Sequence, residues 1–417
     1  MAEMISLEEA RSLVLSHMST LPVEEVPLLD ALGRVAAADL RSDIDIAPFA
    51  HSAMDGYALR AEEIANADDA PVQLRVIAEV AAGDVYDGPI AEGECVRIMT
   101  GACLPEATDS VVKYEVVAVV EGDGKAGSLV SFDAPTARGS NVRPAGDEAK
   151  AGEVVVRAGE VIGAAGVGFL AGCGVTEVPT YQRPRVAIIA TGSELVGADE
   201  VPARGKIRNS NSYAMAACAR EAGCVATMLP AVPDTFEGLS AAVADAARSY
   251  DFVVTTGGAA NGDFDFIKQV IDALGDLRMT TVNMRPGKAQ AFGLVEGTPV
   301  FGLPGNPAAA YCGFEMLIRP MLRKMQGYSC FEHPHVMAAI TVDQRKRDPR
   351  RIFLRSTLTR SADGGYQVTP AKNQSSGLFG VIQKSNCLAV LPDGTEDKHA
   401  GDLVECILLD VPEEVAL

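Results

Sequence analysis

The chain of 417 residues carries 36 Lys and Arg against 56 Asp and Glu, a formal net charge of −20. So acidic a protein is not expected to bind nucleic acid or anionic membranes non-specifically, and any anionic ligand must meet a locally basic pocket. Hydrophobic residues make up 48% of the chain and charged residues 22%, a composition typical of globular proteins rather than disordered or fibrous ones. The length predicts two to four domains of roughly 100–200 residues each.

The cysteines and the uncharged stretches indicate the compartment. The nine cysteines are scattered without a C-x-x-C pair or a zinc-finger spacing, so we expect free thiols in a reducing environment. Glu3, Glu8 and Glu9 stand where a signal peptide would carry basic and then apolar residues. Residues 161–176 and 298–314 are uncharged but fall short of the roughly 18 apolar residues of a membrane span. We therefore expect a soluble cytoplasmic protein.

Residues 1–180 are predicted to form a β-rich N-terminal region that opens with a helix. Ser6 and Glu9 form a capping box, and apolar residues then recur at helical spacing up to Leu21. Residues 139–174 are predicted to form short pieces whose glycines make turns and close packing. Strand-like runs, separated by Gly and Asp turns, occur at residues 72–80, 95–99, 110–120 and 128–132.

Residues 181–326 alternate between strand-like and helical patterns, which indicates one doubly wound α/β domain. The predicted strands are residues 186–190, 225–232, 252–255, 279–284 and 300–303, and the predicted helices are residues 212–222, 235–249, 266–274 and 306–325. Residues 327–417 carry strand-like runs without a convincing helix, which fits a small β-barrel or sandwich. Those runs are residues 336–342, 352–358, 366–370, 387–391 and 402–409.

In an open α/β sheet, ligands bind in the crevice outside the carboxyl ends of the strands. Five predicted strand ends carry glycine or proline together with acids, bases or amides. They are Thr191-Gly192-Ser193-Glu194, Pro233-Asp234, residues 256–265 with Gly257, Gly258, Asp263 and Asp265, Arg285-Pro286-Gly287-Lys288, and Pro304-Gly305-Asn306-Pro307. Each motif alone is compatible with a tight turn or a helix cap, but five together favour a functional site.

Two kinds of charge at these strand ends predict one ligand. The carboxylates of Glu194, Asp234, Asp263 and Asp265 are suited to Mg²⁺. Basic side chains and glycine-freed N–H groups are suited to phosphate oxygens, namely Arg285, Lys288 and the Gly257-Gly258 backbone. Asn306 as N-cap and Pro307 at the first helical position add a helix N-terminus. The pattern predicts a phosphorylated ligand together with a divalent cation.

Other motifs are weaker. No Walker A sequence is present, and the glycines at 166, 168 and 172 have the wrong spacing for a dinucleotide fingerprint. His333 and His335 flank a proline between domains, which favours a linker over a metal site. A basic run is interpreted as a solvated turn that also has the charge to attract an anionic substrate; it comprises Arg345, Lys346, Arg347, Arg350 and Arg351.

Several longer motifs resemble one family of enzymes. They are Ser52-Ala53-Met54-Asp55-Gly56-Tyr57-Ala58, Arg97-Ile98-Met99-Thr100-Gly101-Ala102, Thr191-Gly192-Ser193-Glu194-Leu195, residues 257–265, Arg285-Pro286-Gly287-Lys288 and Leu303-Pro304-Gly305-Asn306-Pro307. In this order, and over nearly the whole chain, they resemble the molybdopterin molybdenumtransferases, the MoeA-type enzymes that are similar to the gephyrin E domain.

The resemblance implies an architecture and an assembly. The family combines a discontinuous N-terminal region of two intertwined subdomains, a doubly wound domain related to the molybdopterin adenylyltransferases, and a C-terminal β-barrel. Its members are homodimers whose active site is shared between subunits, with possible contacts to the adenylyltransferase. By resemblance, Asp55 and Thr100 would complete the crevice of the other subunit.

The resemblance also implies a reaction. The family takes adenylyl-molybdopterin and molybdate, cleaves the phosphoanhydride with Mg²⁺, inserts molybdenum into the dithiolene and releases AMP. Residues implied to bind Mg²⁺ or organise the pyrophosphate are Glu194, Asp234 and Asp265. Residues implied to hold anionic oxygens or to lie near the substrate are Lys288, Pro304 to Pro307, Arg143, Ser375 and Ser376.

The sequence departs from the family pattern at two places. Ala260 replaces a usual Ser in the Gly-Gly loop, which removes one hydroxyl contact, and Asn209 replaces a usual Asp but still supplies a helix cap. Two alternatives follow from the resemblance. One is the preceding adenylylation from ATP by the doubly wound domain, and the other is a scaffold or peptide-binding dimer without catalysis. The full set of regions and the retained acids favour the molybdenumtransferase.

Overall fold

The computed structural model describes residues 4–257, 266–361 and 364–409. In these ranges the helices are α1 (Leu7–Ser16), α2 (Ala164–Gly172), α3 (Ser210–Glu221), α4 (Phe236–Ser249), α5 (Phe266–Leu274), α6 (Pro307–Gly313), α7 (Arg319–Met325) and α8 (Phe379–Ile382). A π-helical turn, Phe314–Ile318, joins α6 to α7, and 3₁₀ turns lie at Leu28–Ala31, Ala61–Ile64 and Tyr114–Val116.

The strands of the first half are β1 (Val23–Pro27), β2 (Leu40–Arg41), β3 (His51–Ser52), β4 (Gly56–Leu59), β5 (Val72–Val80), β6 (Glu94–Ile98), β7 (Ser110–Lys113), β8 (Val117–Glu121), β9 (Leu129–Phe132), β10 (Val142–Arg143), β11 (Val154–Val156) and β12 (Glu177–Tyr181). Those of the second half are β13 (Arg185–Ala190), β14 (Leu195–Val196), β15 (Ile207–Arg208), β16 (Val225–Met228), β17 (Phe252–Thr256), β18 (Gly275–Thr281), β19 (Met284–Arg285), β20 (Ala289–Val295), β21 (Thr298–Leu303), β22 (His335–Ile340), β23 (Arg351–Arg360), β24 (Tyr366–Pro370), β25 (Cys387–Leu391) and β26 (Leu403–Leu408).

The chain divides into two compact units. The larger unit contains Met1–Glu24, Gly33–Ala37 and Thr180–Leu417, and the smaller unit contains Glu25–Leu32 and Ala38–Pro179. Domain boundaries at residues 180 and 326 stay a prediction.

The smaller unit is built on a six-stranded sheet in the order β7-β4-β6-β5-β9-β8. Apolar side chains cover both faces, with Leu59 and Phe132 in one cluster and Val96 and Ile98 in the other. The predicted single strand at residues 110–120 is wrong, because a 3₁₀ turn separates β7 from β8 and lets β8 pair with β9 instead of β4.

Helix α2 is a second correction in the smaller unit, since only short irregular pieces were predicted there. Its glycines at 166, 168 and 172 lower helix propensity, but its backbone hydrogen bonds are made, including Val167 N–H to the carbonyl of Gly163. Leu170 is buried, while most of its other residues are exposed or half-buried. The helix therefore presents uncharged, small side chains at the surface of this unit.

The larger unit contains a mixed sheet in the order β16-β13-β17-β21-β20-β18. The first four strands are parallel, and β20 runs antiparallel to both of its neighbours. Strand β20 was not predicted, and the strand predicted at residues 279–284 is displaced, with β18 ending at Thr281. Because β18 is antiparallel to β20, it runs in the direction of the parallel strands and ends at their carboxyl edge.

Helices cover both faces of this sheet. Helix α1 begins with the predicted capping box, in which Ser6 Oγ accepts from Glu9 N–H at 3.1 Å and Ser6 N–H donates to the Glu9 carboxylate at 2.8 Å. It packs with α3 and the 307–325 helical segment on one face, whereas α4 and α5 pack on the other. This is the doubly wound arrangement that the alternating pattern predicts.

The C-terminal strands close into a barrel. Strands β23-β24-β22-β26-β25 follow one another, and β25 pairs back onto β23. The prediction that this region contains no helix is wrong, because the one-turn helix α8 lies between β24 and β25. Strand β19 also pairs with β23, Arg285 opposite Ile352, so the segment between β18 and β20 adds a strand to the barrel sheet. No helix of the described ranges is long and apolar enough to cross a membrane.

Candidate active site

Two carboxylates lie beyond the ends of adjacent parallel strands. Asp234, after β16, accepts a hydrogen bond from the hydroxyl of Thr191 and a second, at 3.2 Å, from the N–H of Ser193. The exposed Glu194 folds back so that its carboxylate covers Gly192. The strand order reverses here, since α3 leads from β13 to β16 on one side and α4 leads to β17 on the other. Open α/β sheets bind ligands at such a point.

Gly257, the first residue of the Gly-Gly motif, lies at the same edge as the Pro-Gly-Asn-Pro turn. Gly257 has a φ of +95°, and a Cβ atom there would overlap the carbonyl oxygen of Thr191. The amide of Asn211 donates to Thr256 Oγ1 at 2.7 Å and to the carbonyl of Gly305 at 2.9 Å. Asn211 therefore ties the end of β17 to the turn that precedes α6.

A cavity of about 680 Å³ opens beside this turn, between the carboxyl edge and the barrel. Among its lining residues, which include no acid of the described chain, are four cations: Arg285, Lys288, Arg345 and Arg355. The predicted residues Pro304, Asn306, Ser375 and Ser376 line it as well. The sequence-predicted bases and the two serines are thus brought to one place by the chain.

The start of α6 is less open than predicted. Pro307 is in the first turn, as expected, but the Asn306 side chain makes no capping hydrogen bond. The N–H of Ala308 donates to the carbonyl oxygen of Ser376 at 2.8 Å. One of the first-turn N–H groups is therefore already bonded to the barrel loop rather than free for an anion.

Arg355 is the functional candidate that sequence reasoning missed. It lies on β23 and is only 2% exposed. Its guanidinium donates to the carbonyl of Ser375 at 3.2 Å, while Nε is buried without a partner among the described residues. Burial lowers the pKa of Arg355, but the side chain keeps its charge, since the ordinary pKa of arginine exceeds 12. A buried, incompletely bonded guanidinium facing a basic cavity is suited to an anion.

The basic run is not the solvated turn that the sequence suggested. Lys346 is buried, and Arg350 pairs with Asp348, which also accepts from Arg285 at 3.2 Å. Hydrogen bonds from Arg350 hold the pKa of the Asp348 carboxyl well below its usual range. The ion pairs form because the loop folds against the barrel instead of projecting into water. Only part of the run, notably Arg345, faces the cavity.

The three predicted residues of the smaller unit lie on adjoining segments. Thr100 donates to one carboxylate oxygen of Asp55 from its N–H and from its hydroxyl, both at 2.7 Å. These bonds lower the pKa of Asp55, the backbone bond having the larger effect. Arg143 pairs with His51, at the start of the loop that carries Asp55. The unit therefore presents a fixed carboxylate beside an arginine-bearing strand.

The Mg²⁺ site stays a prediction, and only some of its expected ligands lie among the described residues. Gly258, Ala260, Asp263 and Asp265 lie outside the described residues. Within them, no three His, Cys, Asp or Glu side chains are grouped as for a protein-only metal cage. Glu194 and Asp234 nevertheless offer carboxylates at one edge, and Mg²⁺ is commonly held by one or two carboxylates with waters and substrate phosphates. The donor set fits such an ion.

Family models match most of the chain. The MoeA N-terminal region (domain I and II) matches residues 5–174, a probable molybdopterin binding domain matches residues 187–324, and the MoeA C-terminal region (domain IV) matches residues 338–409. The molybdopterin molybdenumtransferase of Staphylococcus aureus (strain COL) is 33% identical, over 99% of this chain and 98% of its own. The Bacillus subtilis (strain 168) protein of the same name is 34% identical over 97% and 94%.

Solved structures agree with these similarities. A molybdopterin biosynthesis MoeA protein from Pyrococcus horikoshii OT3 superposes with a TM-score of 0.83 at 28% identity, over 98% of this chain and 100% of its own. A second Pyrococcus structure of that description gives 0.81 at 30% identity, over 97% and 99%. The matched residues include nearly all of both units, the barrel of the larger unit among them.

Proposed function

Because the chain belongs to the molybdopterin molybdenumtransferase family, transferases of molybdenum cofactor biosynthesis, we propose that its substrates are adenylyl-molybdopterin and molybdate. The products are then molybdenum-loaded molybdopterin and AMP. The single observation that carries this proposal is the basic cavity beside the strand ends. Four cations line it in a protein of net charge −20, and a local field of that kind concentrates anions.

The cations have distinct tasks in this proposal. Lys288, which is exposed, supplies a mobile point charge for a phosphate or molybdate oxygen. Arg285 is oriented by Asp348, and Arg355 is held by burial, so both present guanidinium N–H groups in fixed directions. Anions whose charge grows during phosphoanhydride cleavage are stabilised best by such preorganised donors. Ser375 and Ser376 offer neutral donors at the same wall.

Glu194 and Asp234 are proposed to hold Mg²⁺, together with Asp263 and Asp265. The ion, when bound, neutralises charge on the pyrophosphate oxygens. The chain's own part is to aim the carboxylates, and the hydrogen bonds from Thr191 and Ser193 do so for Asp234. No nucleophilic side chain is required, because a water oxygen attacks the molybdopterin phosphorus: a new P–O bond forms there, the bridging P–O bond breaks, and AMP leaves with the bridging oxygen.

The reaction is tested by incubating the purified protein with adenylyl-molybdopterin and following AMP by chromatography. AMP is expected only when both molybdate and Mg²⁺ are present, and a chelator should stop its release. Sulfate at equal concentration is the control oxyanion. AMP formation from ATP instead, or none from adenylyl-molybdopterin, contradicts the assignment.

We also propose a homodimer with a shared active site, to which Asp55, Thr100 and Arg143 contribute from the other subunit. The uncharged surface of α2 supports burial against a second copy, since exposed apolar patches commonly mark interfaces. Nine free cysteines support a reducing, cytoplasmic location.

Subunit complementation tests the shared site. Asp55→Ala and Lys288→Ala proteins should each be inactive, and a mixture that has exchanged subunits should regain part of the activity because one intact site forms. The control mixes each variant with itself. Absence of recovery, once mass spectrometry shows exchange, excludes a site made by two subunits.

A further inference from the structure

Lys346 is a buried lysine that the proposed reaction does not use. Its side chain is only 3% exposed. The ammonium donates to the carbonyl oxygens of Asp348 at 2.8 Å and Arg350 at 2.9 Å, and to that of Gly394. An ammonium has three N–H donors, so all three are used. The group occupies the place that a small cation would take among three carbonyl oxygens.

The backbone of Lys346 is fixed as well. Its N–H donates to the carboxylate of Asp397 at 2.7 Å. Segment 344–350 is therefore held to segment 394–397 from both the side chain and the main chain. Burying an ammonium is costly unless its bonds are complete, and here all three donors are used, whereas an apolar side chain would leave the three carbonyl oxygens without this donor. The ammonium therefore fixes the relative positions of these three carbonyl groups.

The held segment carries one cation of the basic cavity and the acid that orients another. Arg345 lines the cavity directly, one residue before Lys346. Asp348, two residues after it, accepts from Arg285 Nη1 at 3.2 Å. The Asp348 carbonyl is bound by Lys346 while its carboxylate orients Arg285. Displacement of segment 344–350 therefore moves Arg345, which belongs to it, and the carboxylate that orients Arg285.

We propose that Lys346 is a positioning residue of the oxyanion site, an internal cation that fixes three carbonyl oxygens and thereby aims Arg285 and Arg345 at the bound anion. The oxyanion is molybdate, so this inference rests on the proposed function. Its effect is on binding of the anion rather than on bond breaking. Loss of the ammonium should loosen segment 344–350 and weaken the anion's hold while the barrel remains folded.

The first experiment compares Lys346→Met with Lys398→Met. Lys398 belongs to the same pair of loops, but its ammonium faces Glu396 at 3.7 Å rather than a carbonyl cage, so its removal is the matched loss of charge. Calorimetric titration with molybdate should show a Kd roughly tenfold higher for Lys346→Met, the order expected when one charge-assisted hydrogen bond to the anion is lost. Lys398→Met should bind like the parent protein.

A second measurement is independent of the reaction. Phenylglyoxal modifies accessible arginines, and peptide mass spectrometry gives the rate at Arg285. That rate should rise in Lys346→Met and stay unchanged in Lys398→Met, because only the former releases Asp348. If the parent protein binds no molybdate, the proposed function fails, and the labelling rates alone decide the role of Lys346. Equal rates in all three proteins overturn the inference.

Chemical rescue separates positioning from general stability. In Lys346→Ala the three carbonyl oxygens remain, and added methylammonium has three N–H donors that fit them. Methylammonium should restore slow labelling of Arg285 and tighter molybdate binding, whereas tetramethylammonium, which has no donor, should restore neither. If Lys346→Met or Lys346→Ala does not fold, Lys346→Gln, with two amide donors, is measured in the same way. A uniform fall in melting temperature without a change at Arg285 contradicts the proposal.

Discussion

Replacing Arg355 by methionine should stabilise the free protein and weaken anion binding at the same time. Arg355 is only 2% exposed, and its guanidinium makes one hydrogen bond at 3.2 Å and has an unpartnered Nε among the described residues. A buried donor without a partner costs about 1–3 kcal/mol. Methionine keeps most of the apolar stem and removes that cost, so the free energy of unfolding should rise by about 1–3 kcal/mol.

The same substitution removes the charge-assisted hydrogen bond that we propose Arg355 donates to the bound oxyanion. Such bonds contribute about 1.5–3 kcal/mol, which corresponds to a Kd for molybdate about 10- to 100-fold higher. Urea denaturation without ligand and calorimetric titration with molybdate measure the two effects separately. Arg360→Met, an exposed position on the same strand, is the control and should change neither by much.

The two signs together are the test. In a site that is built for a ligand, a buried group that lacks a partner destabilises the free protein, and the ligand supplies that partner. Removing the group should therefore raise the free energy of unfolding and weaken the binding of the ligand. If Arg355→Met is less stable than the parent protein and binds molybdate equally well, the guanidinium is a structural group, and the assignment of this cavity to the anion is refuted.

Two further substitutions test the geometry of the strand ends and of the smaller unit. Gly257→Ala should lower the free energy of unfolding, measured by urea titration, by about 2–4 kcal/mol, because it combines a left-handed φ with overlap against the Thr191 carbonyl. The control is Gly297→Ala, where φ is +85° and no atom lies within 4 Å of the added Cβ. This control should lower the free energy of unfolding by only about 1 kcal/mol. Thr100→Val removes one of the two bonds that lower the pKa of Asp55, so that pKa should rise towards its ordinary value near 3.9. Since the carboxylate is then protonated at a higher pH, the acid limb of the AMP-release profile should move upward, and an unchanged limb would contradict a role for ionised Asp55.

The sequence predicted those helices and strands that depend on residues close together in the chain. The capping box of Ser6 and Glu9 placed the start of α1, and Thr235, whose hydroxyl accepts from Gly238 N–H at 3.1 Å, marked the start of α4. The strands of the parallel core read as short apolar runs because both faces are covered. Strand-end motifs then located the basic and acidic residues at one edge.

Strand β20 was not predicted, although the Glu296-Gly297 dipeptide that follows it marks a turn. Glu296 and Gly297 both have positive φ, at +51° and +85°, which is the conformation of a tight hairpin turn. Glutamate is an unusual residue for such a turn, so the apolar residues before it did not read as a separate strand. Helix α2 was also not predicted, because its three glycines are typical of turns in a sequence, whereas its backbone hydrogen bonds are those of a helix.

The burial of Arg355 and Lys346 could not be inferred from sequence. Arg355 lies in a strand pattern that does not tell which face is covered, and its partner Ser375 is twenty residues away in the chain. Lys346 stands in a run of charges that normally marks a solvated surface, and the Gly394 carbonyl that it binds lies in another loop. Both depend on how distant loops close over one another.

The pairing of β19 with β23 has a consequence for how this enzyme can be altered. The segment that leaves one sheet at Thr281 and enters β20 at Ala289 contributes Arg285 to the barrel sheet on the way. We therefore expect that a chain ending after Met325, which lacks the barrel, loses the position of Arg285 and with it the proposed anion binding. A chimaera that carries the barrel of a relative should keep the proposed anion binding only where Met284 still pairs with Arg351. We therefore expect the α/β domain and the barrel to have evolved together.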